Sequence, residues 1–108
     1  MSLEDTLSAV ADPTRRAMLQ RLAYGPATVG QLAALFPISR PAVSQHVKVL
    51  RDAGLVAPLG SARTSPYELV PGPLFHVENW ARNLTDRWTS APTHRAMRPA
   101  DHPSKEPR

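Results

Sequence analysis

The stretch from Thr28 to Gly54, TVGQLAALFPISRPAVSQHVKVLRDAG, restricts the fold of this chain more than any other segment. It holds two helix start signals separated by a proline. Thr28 and Gln31 form a T-x-x-Q capping box, which satisfies backbone donors that a first turn otherwise leaves unpaired. Leu32, Leu35 and Phe36 are expected to supply the buried side of this helix. Pro37 disfavours a helical conformation in the residue before it, so the helix is expected to end near Leu35, followed by a turn of roughly three or four residues. Ser39 is a good N-cap for a second helix, and Pro41 falls in its first turn, where a missing N–H costs nothing. Gly54 is expected to close that helix as a left-handed C-cap.

At about 100° per residue, Val43, Val47 and Leu50 share one narrow face of the second helix, and Pro41, Ser44, Gln45 and Lys48 share the opposite one. The outer face has the chemistry of a major-groove reader. Gln45 can bond an adenine edge through two hydrogen bonds, Ser44 a base or a phosphate, and Arg40 a guanine or the backbone. Lys48, one turn further on, is better placed for phosphate. A solvated helix face is the alternative for such residues, and the flanking segments decide against it.

Leu55 to Leu59 is a short apolar run, Gly60 to Thr64 has turn composition, and Tyr67 to Val70 reads as a returning strand. Pro58 and Pro66 remove ladder donors, so both strands are expected to be short edge strands. A helical hairpin followed by a β-hairpin is a winged helix, a mainly α fold with a small β component. Arg63 is the basic residue at the wing turn, where a phosphate contact and a solvated charge are the two readings.

The segments ADPTRRAMLQRL, GPATVGQLA and SRPAVSQHVKVLRDAGLV together resemble the ArsR family of bacterial winged-helix transcriptional repressors, from about Ala11 to Trp88. The last of the three is highly specific. The resemblance implies the order α-α-α-α-β-β-α, a homodimer with the fourth helix in the major groove of operator DNA, and an effector that relieves repression. It is greatest to the metal-independent branch, whose members often repress their own operon. Carried over by position, the DNA-reading residues are Ser39, Arg40, Pro41, Ser44, Gln45, His46 and Lys48, with Arg63 on the wing. The family wing commonly holds Gly-Arg amid further arginines, whereas here Ala62 precedes Arg63 and basic neighbours are missing, which weakens the case for wing contacts.

Metal sensing, well known in that family, meets direct obstacles. The chain has no cysteine, which removes every thiolate site. His76 and Glu78 are two residues apart and point to different sides of a helix, while His94 and His102 lie in a segment without periodic structure. No metal and no cofactor are expected. Ser44, His46 and Asp52 do not converge as a hydrolase triad, and no phosphate loop or dinucleotide fingerprint is present, so an enzyme is not expected.

Near the start, Leu3, Leu7 and Val10 form an apolar stripe. After Pro71-Gly72-Pro73, residues Leu74, Val77, Ala81, Leu84 and Trp88 repeat at helical spacing, widened by Phe75 and Trp80. A small helical core has little room for so many large side chains, so a homodimer is expected to bury Leu3, Leu7, Val10, Leu74, Val77, Trp80, Ala81, Leu84 and Trp88; folding back on the same chain is the alternative. A small apolar effector near Trp80 and Trp88 competes with plain packing there. Between the two ends, Asp12 caps a helix that Pro13 begins, with Met18, Leu19 and Leu22 facing the core. Arg15 and Arg16 are placed for a phosphate contact or a salt bridge.

A net charge of +4 at pH 7 and a pI of 10.3 suit a polyanionic partner. Part of that excess lies in a tail, residues 92–108, where Arg95, Arg98, Lys105 and Arg108 outnumber Asp101 and Glu106. Four prolines and little apolar periodicity mark this tail as disordered, beside a folded domain over residues 1–91. It is expected to be inert rather than a weak contact to flanking DNA. With no run of about 18 apolar residues and no leader, a cytoplasmic protein without membrane association is expected. The alternatives to a dimeric DNA-binding repressor are a winged-helix protein-interaction module and a His-based metal sensor.

Overall fold

The computed structural model describes residues 2–92; the remainder of the tail, including Arg95, Arg98 and the two tail histidines, lies outside the described residues. Five helices and one hairpin follow in the order α1 (Leu3–Val10), α2 (Pro13–Leu22), α3 (Val29–Ala33), α4 (Arg40–Asp52), β1 (Val56–Pro58), β2 (Tyr67–Leu69) and α5 (Gly72–Ser90). Two compact units are present, Met1–Val77 and Glu78–Arg108.

Each of the first four helices starts on a side-chain cap, because the first-turn N–H groups have no partner within the helix. Ser2 and Asp5 cap α1 reciprocally. Asp12 accepts from the Arg15 amide at 3.0 Å with Pro13 in the first turn of α2. Thr28 and Gln31 close the expected box at 3.0 and 2.8 Å. Ser39 Oγ accepts from the Ala42 amide at 3.2 Å. At the far end of α4, Gly54 has φ +77°, its N–H donates to Arg51 O and that of Leu55 to Leu50 O, both at 2.9 Å. That is a Schellman closure, and it turns the chain directly into the wing.

The core of the first unit draws on every element around α4. Met18, Leu32, Val43, Leu50 and Leu55 are fully buried, joined by Leu19, Leu22, Val47 and Val56. Thr6 is the buried polar residue among them; its hydroxyl donates to Ser2 O at 3.2 Å, so its burial leaves no unmet donor.

Two local expectations are corrected. Helix α3 stops at Ala33, so the connection to α4 is longer than expected, and Leu35 is 56 % exposed instead of buried. The Leu35 amide already bonds back to Leu32 O, a tighter turn than the α-helical pattern, and Ile38 with Phe36 packs against the core in its place. The hairpin pairs Val56 with Leu69, Ala57 with Glu68 and Pro58 with Tyr67. Strand β2, however, is not an edge throughout: Tyr67 exchanges two hydrogen bonds with Ala27, at 2.8 and 3.0 Å, on the side away from β1. The loop before α3 thus supplies a one-residue third strand that ties the wing to the helical hairpin.

Helix α5 has no buried residue along its length. In the first unit Leu74 packs against the core and Phe75 is 61 % exposed. In the second, Trp80 and Leu84 are 44 % and 51 % exposed, Ala81 is exposed and Trp88 half-buried. An i,i+4 ion pair joins Arg82 to Glu78 at 3.2 Å. No helix among the described residues is long and apolar enough to cross a membrane.

Candidate nucleic-acid interface

Helix α4 separates its two faces as its spacing requires. Val43, Val47 and Leu50 are buried, and Pro41, Ser44, Gln45 and Lys48 are exposed on the opposite side. Ser39 and Arg40 stand exposed at its N-terminal end, where amide donors also point outward. The Arg40 side chain lies against α3, close over Gly30.

A groove runs between this helix and the wing. Ser44, Lys48 and Arg51 line it from α4, Arg63 from the wing turn, and Val47 and Tyr67 also border it. Arg63 thereby faces basic partners that its own hairpin lacks. Arg51 was not among the residues expected from sequence, although its spacing from Ser44 and Lys48 puts it on their flank of the helix. Lys48 Nζ is 3.0 Å from Asp52 Oδ2 in an exposed i,i+4 pair, an interaction weak enough in water for a phosphate to compete with it.

His46 stands apart from the exposed face. It is half-buried, and its Nδ1 is 3.3 Å from Arg15 Nη1. Neither Arg15 nor Arg16 forms the salt bridge considered above. Arg15 donates to Ala9 O at 2.7 Å and Ser8 O at 3.3 Å, and Arg16 to Val10 O and Ala11 O at 2.8 and 3.0 Å. Both arginines cap the C-terminal end of α1, where carbonyls are unpaired and the helix dipole favours a cation. The hydrogen bond from the Arg15 amide holds the Asp12 carboxyl below the ordinary aspartate value of 3.8, with the charges of Arg15 and His46 acting in the same direction against partial desolvation.

The paper triad of Ser44, His46 and Asp52 is not assembled: the His46 ring meets Arg15, and Asp52 meets Lys48. Among the described residues no group of three or more histidines or carboxylates is placed to hold a metal ion.

Comparison with known proteins agrees with this geometry. A helix-turn-helix domain family model matches residues 10–58. The chain is 50 % identical over 84 residues to the HTH-type transcriptional regulator Rv2034 of Mycobacterium tuberculosis, covering 71 % of this chain and 77 % of that one. It is 31 % identical over 85 residues to the transcriptional repressor SdpR of Bacillus subtilis, covering 79 % and 94 %. The fold superposes with a TM-score of 0.77 on a crystal structure of an ArsR family transcriptional regulator, RHA00566, at 36 % identity over 82 % of this chain and 92 % of that chain. A capped helical hairpin with an exposed polar reading face and an adjoining two-stranded wing defines a winged helix-turn-helix DNA-binding transcriptional regulator. The chain belongs to the ArsR family, whose members regulate transcription and are not enzymes.

Proposed function

We propose that this protein is a dimeric repressor that reads an inverted-repeat operator with the outer face of α4 and does so without a metal. The observation that carries the reading is the separation of faces on α4: Ser44, Gln45 and Lys48 are presented to solvent by a helix whose other side is locked into the core. Ser39, Arg40, Pro41, Ser44, Gln45 and His46 are the groove-reading set, and Lys48, Arg51 and Arg63 hold the phosphates that border it. Two reading helices in successive major grooves require half-site centres about 10 bp apart or a multiple of it. Bound there, the dimer blocks transcription sterically, and the operator of its own transcription unit is the first to examine.

Dimerisation is supported by the apolar side chains that one chain leaves uncovered. Phe75, Trp80 and Leu84 are each more than 40 % exposed on a helix with no buried residue, and a second copy is the economical cover for such a surface. Leu3, Leu7, Val10, Leu74, Val77, Trp80, Ala81, Leu84 and Trp88 are the proposed dimer residues. Metal independence rests on the lack of cysteine and of a His/carboxylate cluster among the described residues. As a regulator of a bacterial promoter it acts in the cytoplasm.

The deciding experiment is selection of bound DNA from a random pool, followed by footprinting. A palindromic consensus with two half-sites is expected. Enrichment of one asymmetric half-site bound by a monomer would contradict the dimer, and no enrichment would favour a protein-interaction role for the same fold.

A further inference from the structure

The His46–Arg15 contact joins residues thirty-one apart in sequence and brings the α1–α2 corner against the reading helix. Its polarity is fixed by chemistry. A guanidinium has donors and no acceptor, so across the 3.3 Å separation Arg15 Nη1 donates and His46 Nδ1 accepts. The ring proton therefore resides on Nε2, in the neutral tautomer. The guanidinium itself has little freedom, since Nε is held by Ala9 O at 2.7 Å and Nη2 by Ser8 O at 3.3 Å. The amide of the same residue is tied to Asp12 Oδ2 at 3.0 Å. The end of α1 and the start of α2 thus form a socket built around one side chain of α4.

We propose that Arg15 is a positioning residue for DNA recognition: it holds His46 in the Nε2–H tautomer, so that the ring offers DNA a hydrogen-bond donor and sits in one orientation beside Gln45. This rests on the DNA-reading role of α4. A donor at Nε2 matches acceptors, which are phosphate oxygens or the N7 and O6 of guanine, and mismatches the amino groups of adenine and cytosine. Arg15 acts through His46 and need not touch DNA.

The test has a spectroscopic arm and a binding arm, both on the full chain. A two-bond ¹H–¹⁵N correlation spectrum of the DNA-free protein is expected to show His46 as the Nε2–H tautomer alone, and as a mixture of both in Arg15→Met. In a double-mutant cycle read by fluorescence anisotropy on the selected operator, Arg15→Met is expected to weaken binding about five- to tenfold in the native background and less than about twofold in His46→Ala. Loss of α1 capping lowers stability equally in both backgrounds, so it cannot imitate that difference. An Nδ1–H tautomer in the wild type would overturn the proposal, and that spectrum requires no variant to fold. An equal effect of Arg15→Met in both backgrounds would overturn it too, while leaving the DNA-binding role intact. Absence of any operator binding by the wild type would remove that role and this proposal together.

Discussion

Arg40 rests its guanidinium over Gly30, so near that a Cβ at residue 30 would meet Nη2 at 3.2 Å. The first residue of the reading helix is thus seated on the second of α3, a contact that only a glycine admits without adjustment. Gly30→Ala sets two effects against each other. The gain in helix preference is up to about 1 kcal/mol, and the crowded atom is the far end of an exposed, flexible side chain. We expect Tm to rise by about 2–4 °C and operator affinity to fall as Arg40 leaves its seat, measured by thermal melts and anisotropy. A lower Tm would mean that the seat is rigid.

Base reading and phosphate holding separate by salt dependence. Gln45→Ala is expected to cost about 1–3 kcal/mol of operator binding and to relax base preference, whereas Lys48→Ala and Arg51→Ala should weaken all sequences alike and each reduce the salt slope by about 1. Asp52→Asn frees Lys48 from its 3.0 Å partner and removes a negative charge beside the groove. Binding should tighten while stability changes by less than about 0.5 kcal/mol. Unchanged affinity in Gln45→Ala and Lys48→Ala together would mean that the reading face is misassigned.

Ser39 has two duties that substitution can part. Its Oγ caps α4 through the Ala42 amide, so Ser39→Ala is expected to destabilise by about 1 kcal/mol. Ser39→Asp restores the cap and suits the helix dipole, yet sets a carboxylate where DNA approaches. Stability by urea melts should recover in the aspartate variant, and operator affinity should not.

Leu84 is 51 % exposed on the distal part of α5. Leu84→Glu places a charge in the proposed dimer surface, where an unpaired ion is strongly disfavoured. Sedimentation is expected to give a monomer with unchanged helical circular dichroism and operator affinity at least tenfold weaker, about 1.4 kcal/mol. A variant that stays dimeric would move the interface elsewhere.

Acid should act on Asp12. Its folded pKa is depressed, first by the Arg15 amide and then by the nearby positive charges. A depressed carboxyl stabilises the fold above its unfolded value and loses that contribution as pH falls through the folded one. Stability against pH should therefore slope downward below the ordinary value of 3.8, and Asp12→Asn, which keeps an N-cap, should flatten that slope. Urea midpoints across the acid range provide the measurement.

Local signals in the chain were legible because their physics is local. The caps at Asp12, Thr28 and Ser39, the left-handed Gly54 and the division of α4 into Val43–Val47–Leu50 and Ser44–Gln45–Lys48 need no more than a few neighbouring residues to be satisfied. Leu35 escaped because the last turn of α3 tightens only when Phe36 and Ile38 find the core. What tertiary structure alone decided is which distant groups meet: Tyr67 with Ala27, Arg63 across the groove from Arg51, Arg40 over Gly30, and Arg15 against His46. Sequence periodicity assigns a side chain to a face of its own helix and carries no information about which carbonyl, ring or groove another element will bring to it. The amino-acid sequence by itself therefore determined the reading helix and its chemistry. The packing of α1, α2 and the wing around it decided how that chemistry is held.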